Sequence, residues 1–162
     1  MSNEERRVQP VGIASCSAPF CYIGRDFVDV ESENIVKRKW SSSAPDWRQA
    51  CSGLNLEGYC TNSSCQAYNQ SRVIHKWGYG TFDFFAQGHL CACPLCNKHI
   101  EAVTCGFSNC EWKASGRKRV ANDKPPIDVP GKWTPAPDDG YTTFEEVNMV
   151  RWDKLVIEAR KK

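Results

Sequence analysis

The sequence lacks any run of about 20 apolar residues, the length that a membrane-spanning helix needs. It also lacks the low apolar content of a disordered chain, because 41% of its residues are hydrophobic and 11% are aromatic. Residues 1–10 are polar and lack the apolar stretch of a secretion signal. We therefore expect a flexible tail at 1–10, a globular domain after it, and an intracellular location that is cytoplasmic or nuclear.

A strong net charge is missing as well. The chain has 21 basic and 19 acidic residues, a balance that does not by itself predict nucleic-acid binding. Metalloprotease and deaminase motifs are absent, and so are the glycine-rich loops that bind phosphates or dinucleotides. These absences favour a binding or structural protein over an enzyme.

Cysteine, by contrast, is abundant. The chain contains ten cysteines, and seven of them fall between residues 60 and 110. In a reducing compartment, cysteines at such short spacings hold a metal ion more often than they form disulfides. Five disulfide bridges in a secreted protein remain the alternative.

The cysteine spacing predicts a zinc site built from two pairs. Cys60 and Cys65 form one pair, and Cys93 and Cys96 form the other. In the C-P-L-C form of the second pair, a tight turn points backbone N–H groups at the sulfurs while the proline fixes the turn. We predict that these four thiolates bind Zn²⁺ as a structural site.

Other ligand assignments are open from the sequence. Cys93 and Cys96 could instead share a metal with Cys105 and Cys110, at the compact spacing C-x2-C-x8-C-x4-C. A second zinc would need further ligands. The candidates of second rank for these roles are Cys105, Cys110, Cys91 and His89, with Cys16 and Cys21 more remote.

The apolar pattern predicts a mainly β fold of the α+β class, with small antiparallel sheets held together by zinc knuckles. Residues 53–59 alternate apolar and polar side chains and lead directly into Cys60. Strands are further predicted in 11–30, in a hairpin over 72–85 with a glycine break, and in 99–104 with 111–113 as its return strand.

The remainder of the chain divides at changes of composition. We predict a zinc-binding domain over 11–113 and an extended basic segment over 114–140, where five prolines exclude a regular helix. In 141–162, Thr143 and Glu146 match a helix capping box, and an apolar stripe follows that includes Trp152 and Leu155. A C-terminal helix, or a helix together with a strand, that packs on the domain is therefore expected there.

Residues 53–113 resemble treble-clef and zinc-ribbon modules. Over most of the chain, strings such as A-P-D-W-R at 44–48, G-L-N-L-E-G-Y-C-T-N-S-S-C at 53–65 and T-C-G-F-S-N-C at 104–110 resemble an uncharacterised family of eukaryotic cysteine-rich proteins. Some members of that family are loosely associated with ubiquitin-like domains, but this chain has no recognisable one. His89-x-Cys91-x-Cys93-x2-Cys96 is faintly similar to the central spacing of RING domains, but the C-x4-C pairs depart from the RING pattern.

These observations support three hypotheses on function. The first is a zinc-stabilised protein-recognition module with a link to ubiquitin pathways, which would use an aromatic surface around Trp77, Tyr79 and Phe82 or Trp112. The second is RNA or DNA binding through four basic residues: Lys113, Arg117, Lys118 and Arg119. The third is a RING-like ubiquitin ligase, which requires two metal ions.

Overall fold

The computed structural model describes residues 24–162, and in this range eleven strands and one short α-helix form. The elements are β1 Arg25–Val28, β2 Ile35–Arg38, β3 Gly53–Gly58, β4 Val73–Gly78, β5 Gly80–Asp83, α1 Phe84–Gln87, β6 Ala102–Ser108, β7 Cys110–Arg119, β8 Ile127–Val129, β9 Thr134–Ala136, β10 Tyr141–Phe144 and β11 Met149–Arg160. Single turns of 3-10 helix lie at Ser32–Asn34, Asp46–Arg48, Gly88–Leu90 and Glu146–Asn148.

The strands form two antiparallel sheets. The five-stranded sheet has the order β2-β10-β6-β3-β4. In the six-stranded sheet, β7 and β11 pair along their length, β8 and β9 pair with β7, and β1 and β5 pair with β11. The prediction of a mainly β fold with antiparallel sheets is confirmed. The predicted tail at 1–10 and the predicted strands over 11–23, with Cys16 and Cys21, lie outside the described residues.

The core lies between the two sheets and is rich in aromatic side chains. The ring of Trp112 in β7 stacks on Phe107 of β6 at 4.5 Å and meets Phe144 of β10 edge-on at 5.7 Å. Trp152 in β11 is fully buried, and its indole N–H donates to the Val28 carbonyl at 3.2 Å. Each such side chain contributes roughly 1.5–3 kcal/mol by leaving water, so these contacts hold the sheets face to face.

The predicted C-terminal helix over 141–162 is wrong, because these residues form β10 and β11. The Thr143 hydroxyl caps no helix and instead donates to the Cys105 carbonyl of β6 at 2.7 Å. The strand register shifts between Trp152 and Lys154. This β-bulge places Trp152 and Leu155, three residues apart, on the same buried face, which imitates the spacing of a helix.

The predicted hairpin over 72–85 is wrong in its pairing, although both of its strands form. β4 pairs with β3 in one sheet, while β5 pairs with β11 in the other. Gly78 and Gly80 have φ values of 93° and 133°, which glycine adopts without steric strain. The glycine break therefore carries the chain from one sheet to the other.

Asn109, with φ of 52°, makes a similar crossing from β6 to β7. β6 pairs with β3 and β10, so 111–113 is not the return strand that we predicted for it. The predicted boundary at 113/114 falls inside β7, and the proline-rich segment after it supplies the edge strands β8 and β9.

Candidate metal centre

The structure brings together the four cysteines that the sequence predicted as ligands. The Sγ atoms of Cys60, Cys65, Cys93 and Cys96 all lie within 4.8 Å of one another. The Cys60 and Cys96 sulfurs are 3.7 Å apart, and those of Cys65 and Cys93 are 3.8 Å apart. A tetrahedral zinc ion with Zn–S bonds of about 2.3 Å sets its sulfurs about 3.8 Å apart. The quartet could therefore hold a tetrahedral metal ion.

The first cysteine pair is shaped by a turn that follows β3. Asn62 organises this turn, since its carbonyl accepts from the Cys65 N–H at 2.9 Å and its side-chain oxygen accepts from the Ser64 N–H at 3.1 Å. The N–H of Ala67, two residues beyond Cys65, points at the Cys65 sulfur at 3.5 Å. An Asx turn of this kind returns the chain so that both sulfurs face the same point.

The second pair lies at the tip of a short hairpin. The Cys93 N–H donates to the Lys98 carbonyl, and the Asn97 N–H donates to the Cys93 carbonyl, both at 2.9 Å. Asn97 has φ of 66°, a left-handed conformation that asparagine tolerates better than most residues. The left-handed conformation of Asn97 therefore ends the turn directly after Cys96.

Burial and backbone hydrogen bonds act in opposite directions on the thiols. Burial raises the pKa of Cys60 to about 12 and also raises the pKa of Cys93. The backbone of Lys98, followed by the side chain of Asn62, lowers the pKa of Cys96 to about 6. A backbone hydrogen bond from Asn62 also favours the thiolate of Cys60, and backbone hydrogen bonds from Cys96 and then Leu95 favour that of Cys93. A bound cation would add the charge compensation that the buried sulfurs need.

Two histidines form hydrogen bonds with the backbone just before the second cysteine pair. The Nδ1 atom of His75 in β4 accepts from the Ala92 N–H at 3.2 Å. Nδ1 of His99 donates to the Cys91 carbonyl at 3.0 Å. Neither the two histidines nor Asn62 was predicted from the sequence as part of the site. The C-T-N spacing was the one local signal for the Asx turn.

The cysteines of second rank are not part of this cluster. Cys91, Cys105 and Cys110 are fully buried with the apolar core. Burial raises the pKa of Cys91 to about 12, that of Cys110 to about 11, and that of Cys105 well above its usual value. His89 lies in the 3-10 turn after α1. Within residues 24–162, the quartet is the only group of three or more potential ligands that come together.

The four basic residues proposed for nucleic acid all have acidic neighbours in the structure. Lys118 is buried and contacts Asp29 at 2.7 Å and Glu31 at 3.3 Å. The remaining pairs are Lys113 with Glu158, Arg117 with Asp128, and Arg119 with Asp153. Each of these side chains therefore forms an ion pair with a neighbouring carboxylate.

The predicted aromatic surface is largely internal. Phe82 and Trp112 are buried, and Trp77 packs edge-on against Phe82 at 4.8 Å. Tyr79 is exposed, and its hydroxyl donates to the Asn109 carbonyl at 2.9 Å. Most of this cluster thus serves the core and the crossing between the sheets.

A comparison of the chain with protein-family models, curated proteins and solved structures found no match. Among residues 24–162, every helix is too short to cross a membrane.

Proposed function

We propose that this chain is a zinc-stabilised protein-recognition module in which Cys60, Cys65, Cys93 and Cys96 bind one structural Zn²⁺ ion. The observation that carries the proposal is the sulfur geometry, with separations of 3.7 and 3.8 Å across the quartet. Four thiolates in a tetrahedral arrangement suit zinc, and the other common occupant of such a site is iron.

The position of the quartet suggests what the metal does. The quartet lies between the turn after β3 and the hairpin before β6, two segments that contain little regular structure. A metal ion bound there would join them. Because β3 and β6 are neighbours in the five-stranded sheet, a metal ion would fix that end of the sheet. Structural zinc sites supply roughly 10–16 kcal/mol of apparent binding free energy in small peptides, which is enough to decide whether such loops fold.

A closed site favours recognition over catalysis. A catalytic zinc keeps one coordination position for water or substrate, whereas four cysteines occupy all four positions. The link to ubiquitin pathways rests on the resemblance of the sequence alone. The nucleic-acid alternative has less support, because Lys113, Arg117, Lys118 and Arg119 each have a carboxylate neighbour. The RING alternative needs a second metal site.

Native mass spectrometry combined with elemental analysis tests the metal. We expect one zinc per chain, lost in Cys93→Ser and retained in the matched control Cys51→Ser, since Cys51 stands outside the quartet. Two zinc ions would favour the RING alternative, iron would replace zinc in the proposal, and no metal would overturn it.

Affinity capture from a cell extract tests the recognition role. Proteins that bind the zinc-loaded chain and are lost with Cys93→Ser, but not with Cys51→Ser, would support it. Binding to RNA or DNA that falls steeply with added salt would favour the nucleic-acid alternative instead.

A further inference from the structure

A cavity of about 260 Å³ with both charged and apolar lining residues lies on the outer face of the five-stranded sheet, away from the quartet. Residues 39–52, which link β2 to β3, cross this face as a strap. The strap is held by Arg48, which donates to Glu57 at 2.6 Å, and by Trp47, whose indole N–H donates to the Ser71 hydroxyl at 3.2 Å. The cavity lies between the strap and the strands beneath it.

The charged side chains that line the cavity are mostly cationic. The lining contains Arg38, Lys39, Arg48 and Arg72 but one carboxylate, that of Glu57. The arginines have acidic partners: Arg38 pairs with Glu145, Arg48 with Glu57, and Arg72 with both Glu57 and Glu146. Among the described residues, Lys39 has neither an ion pair nor a side-chain hydrogen bond. The four cations therefore outnumber the three carboxylates that contact them, and the excess positive charge is that of Lys39.

The guanidinium of Arg48 uses one of its three nitrogen atoms for hydrogen bonds to the described residues. Its Nη1 atom serves both the Glu57 carboxylate and the Arg72 carbonyl, at 2.6 and 3.2 Å. Its Nε and Nη2 atoms donate to no group within residues 24–162. An arginine fork of this kind matches the two oxygens of a carboxylate or phosphate. Unused donors beside an excess cation in a cleft are suited to an oxyanion.

Aromatic side chains supply an apolar wall. The rings of Trp40 and Tyr141 lie 6.0 Å apart at an angle of 47°. Trp40 belongs to the strap and is half exposed, and its indole N–H donates to the Asp138 carbonyl at 3.1 Å. Tyr141 belongs to β10 and is buried. A flat apolar group can pack against such rings while its charged end reaches the cations.

We propose that this cavity binds a small ligand that carries a carboxylate or phosphate group on a flat apolar body. The cations Lys39 and Arg48 contact the charged end, and Trp40 covers the flat part. Glu57 and Tyr141 form the floor and keep the arginines in position. The site is independent of the metal proposed above and does not require it for chemistry.

The test uses the full metal-loaded chain and three probes of similar shape: benzoate, phenyl phosphate and the neutral benzamide. Each probe is titrated while the indole N–H signal of Trp40 and the backbone amide signals are followed by NMR. We expect saturable shifts at Trp40 and Lys39 with at least one anion and none with benzamide. Benzoate alone would indicate a carboxylate ligand, and phenyl phosphate alone would indicate a phosphate ligand.

Matched variants localise the binding. Lys39→Glu should weaken anion binding about tenfold, because it replaces an attracting charge by a repelling one. Lys37→Glu makes the same change of charge on β2 outside the cavity lining and should leave binding unchanged. Failure of both anions to bind, equal binding of benzamide, or equal effects of the two variants would overturn the proposal. Neither variant removes a partner of Glu57, so folding is preserved.

Discussion

Glu57 and Tyr141 meet on the outer face of the five-stranded sheet, where the Tyr141 hydroxyl donates to Glu57 Oε2 at 2.7 Å. The carboxylate is fully buried, and its other oxygen accepts from Arg48 and Arg72 at 2.6 and 3.1 Å. Such a charge is tolerated away from water because hydrogen bonds and opposite charge surround it. This cluster ties the strap to the sheet.

Removal of the Glu57 charge should therefore destabilise the fold. In Glu57→Gln, Arg48 and Arg72 lose their shared counter-charge, and we expect the free energy of unfolding to fall by about 3–5 kcal/mol. Urea denaturation followed by tryptophan fluorescence measures this loss. Glu111→Gln is the control, since its pair with Arg160 is partly exposed and should contribute about 1 kcal/mol or less. Equal losses for the two variants would contradict the role of the buried cluster.

Alkaline pH should weaken the fold through Tyr141. Burial, followed by the Glu57 charge, raises the pKa of its hydroxyl well above the ordinary value of 10.0. The folded state thus holds this proton more tightly than the unfolded state. Its contribution to stability is fully present below about pH 10, where unfolded tyrosine titrates, and is lost as pH rises above that value.

The pH dependence is measured as the free energy of unfolding in urea between pH 8 and the alkaline range. The decline above about pH 10 should be shallower in Tyr141→Phe than in the parent chain. Tyr68→Phe, which removes an exposed hydroxyl, should retain the parent slope. A Tyr141→Phe slope identical to that of the parent would show that this hydroxyl does not titrate as expected.

Metal removal should expose one defined set of thiols. With metal bound, we expect iodoacetamide to leave Cys60, Cys65, Cys93 and Cys96 unmodified, because their sulfurs are coordinated. After chelation these four should react, while Cys105 should stay protected by the core as long as the sheets remain folded. Peptide mapping by mass spectrometry reads each site separately. Modification of the quartet before chelation would argue against a bound metal.

Gly116 marks a close approach between β7 and β11. A Cβ atom at this position would lie 2.0 Å from the Lys154 carbonyl oxygen. Gly116→Ala should therefore force the two central strands apart and cost about 2–3 kcal/mol of stability, as overpacking does. Ser115→Ala on the same strand should change stability by less than about 0.5 kcal/mol. Thermal unfolding of the two variants gives the comparison, and similar midpoints would refute the close packing.

The sequence correctly predicted local features whose cause lies within a few residues. Residues 53–58 alternate, lie between glycines and form β3, and the tight turn C-P-L-C was correctly expected to present two sulfurs together. Pairing between distant segments was harder to predict. Gly78 and Gly80 indicate a break in the chain equally well whether the next strand folds back or joins the opposite sheet.

By itself, the sequence determined that the chain is mainly β, and it ranked Cys60, Cys65, Cys93 and Cys96 first among the possible metal ligands, because alternation and short spacing are local properties. Tertiary structure alone decided that Cys91, Cys105 and Cys110 belong to the core, since burial depends on which strands lie above them. It also decided that residues 149–160 form the strand β11 and not a helix, although a bulge gives this strand the apolar spacing of a helix. Long-range strand pairing outweighs local propensity there, because the pairing satisfies backbone hydrogen bonds and buries Trp152 and Leu155 together.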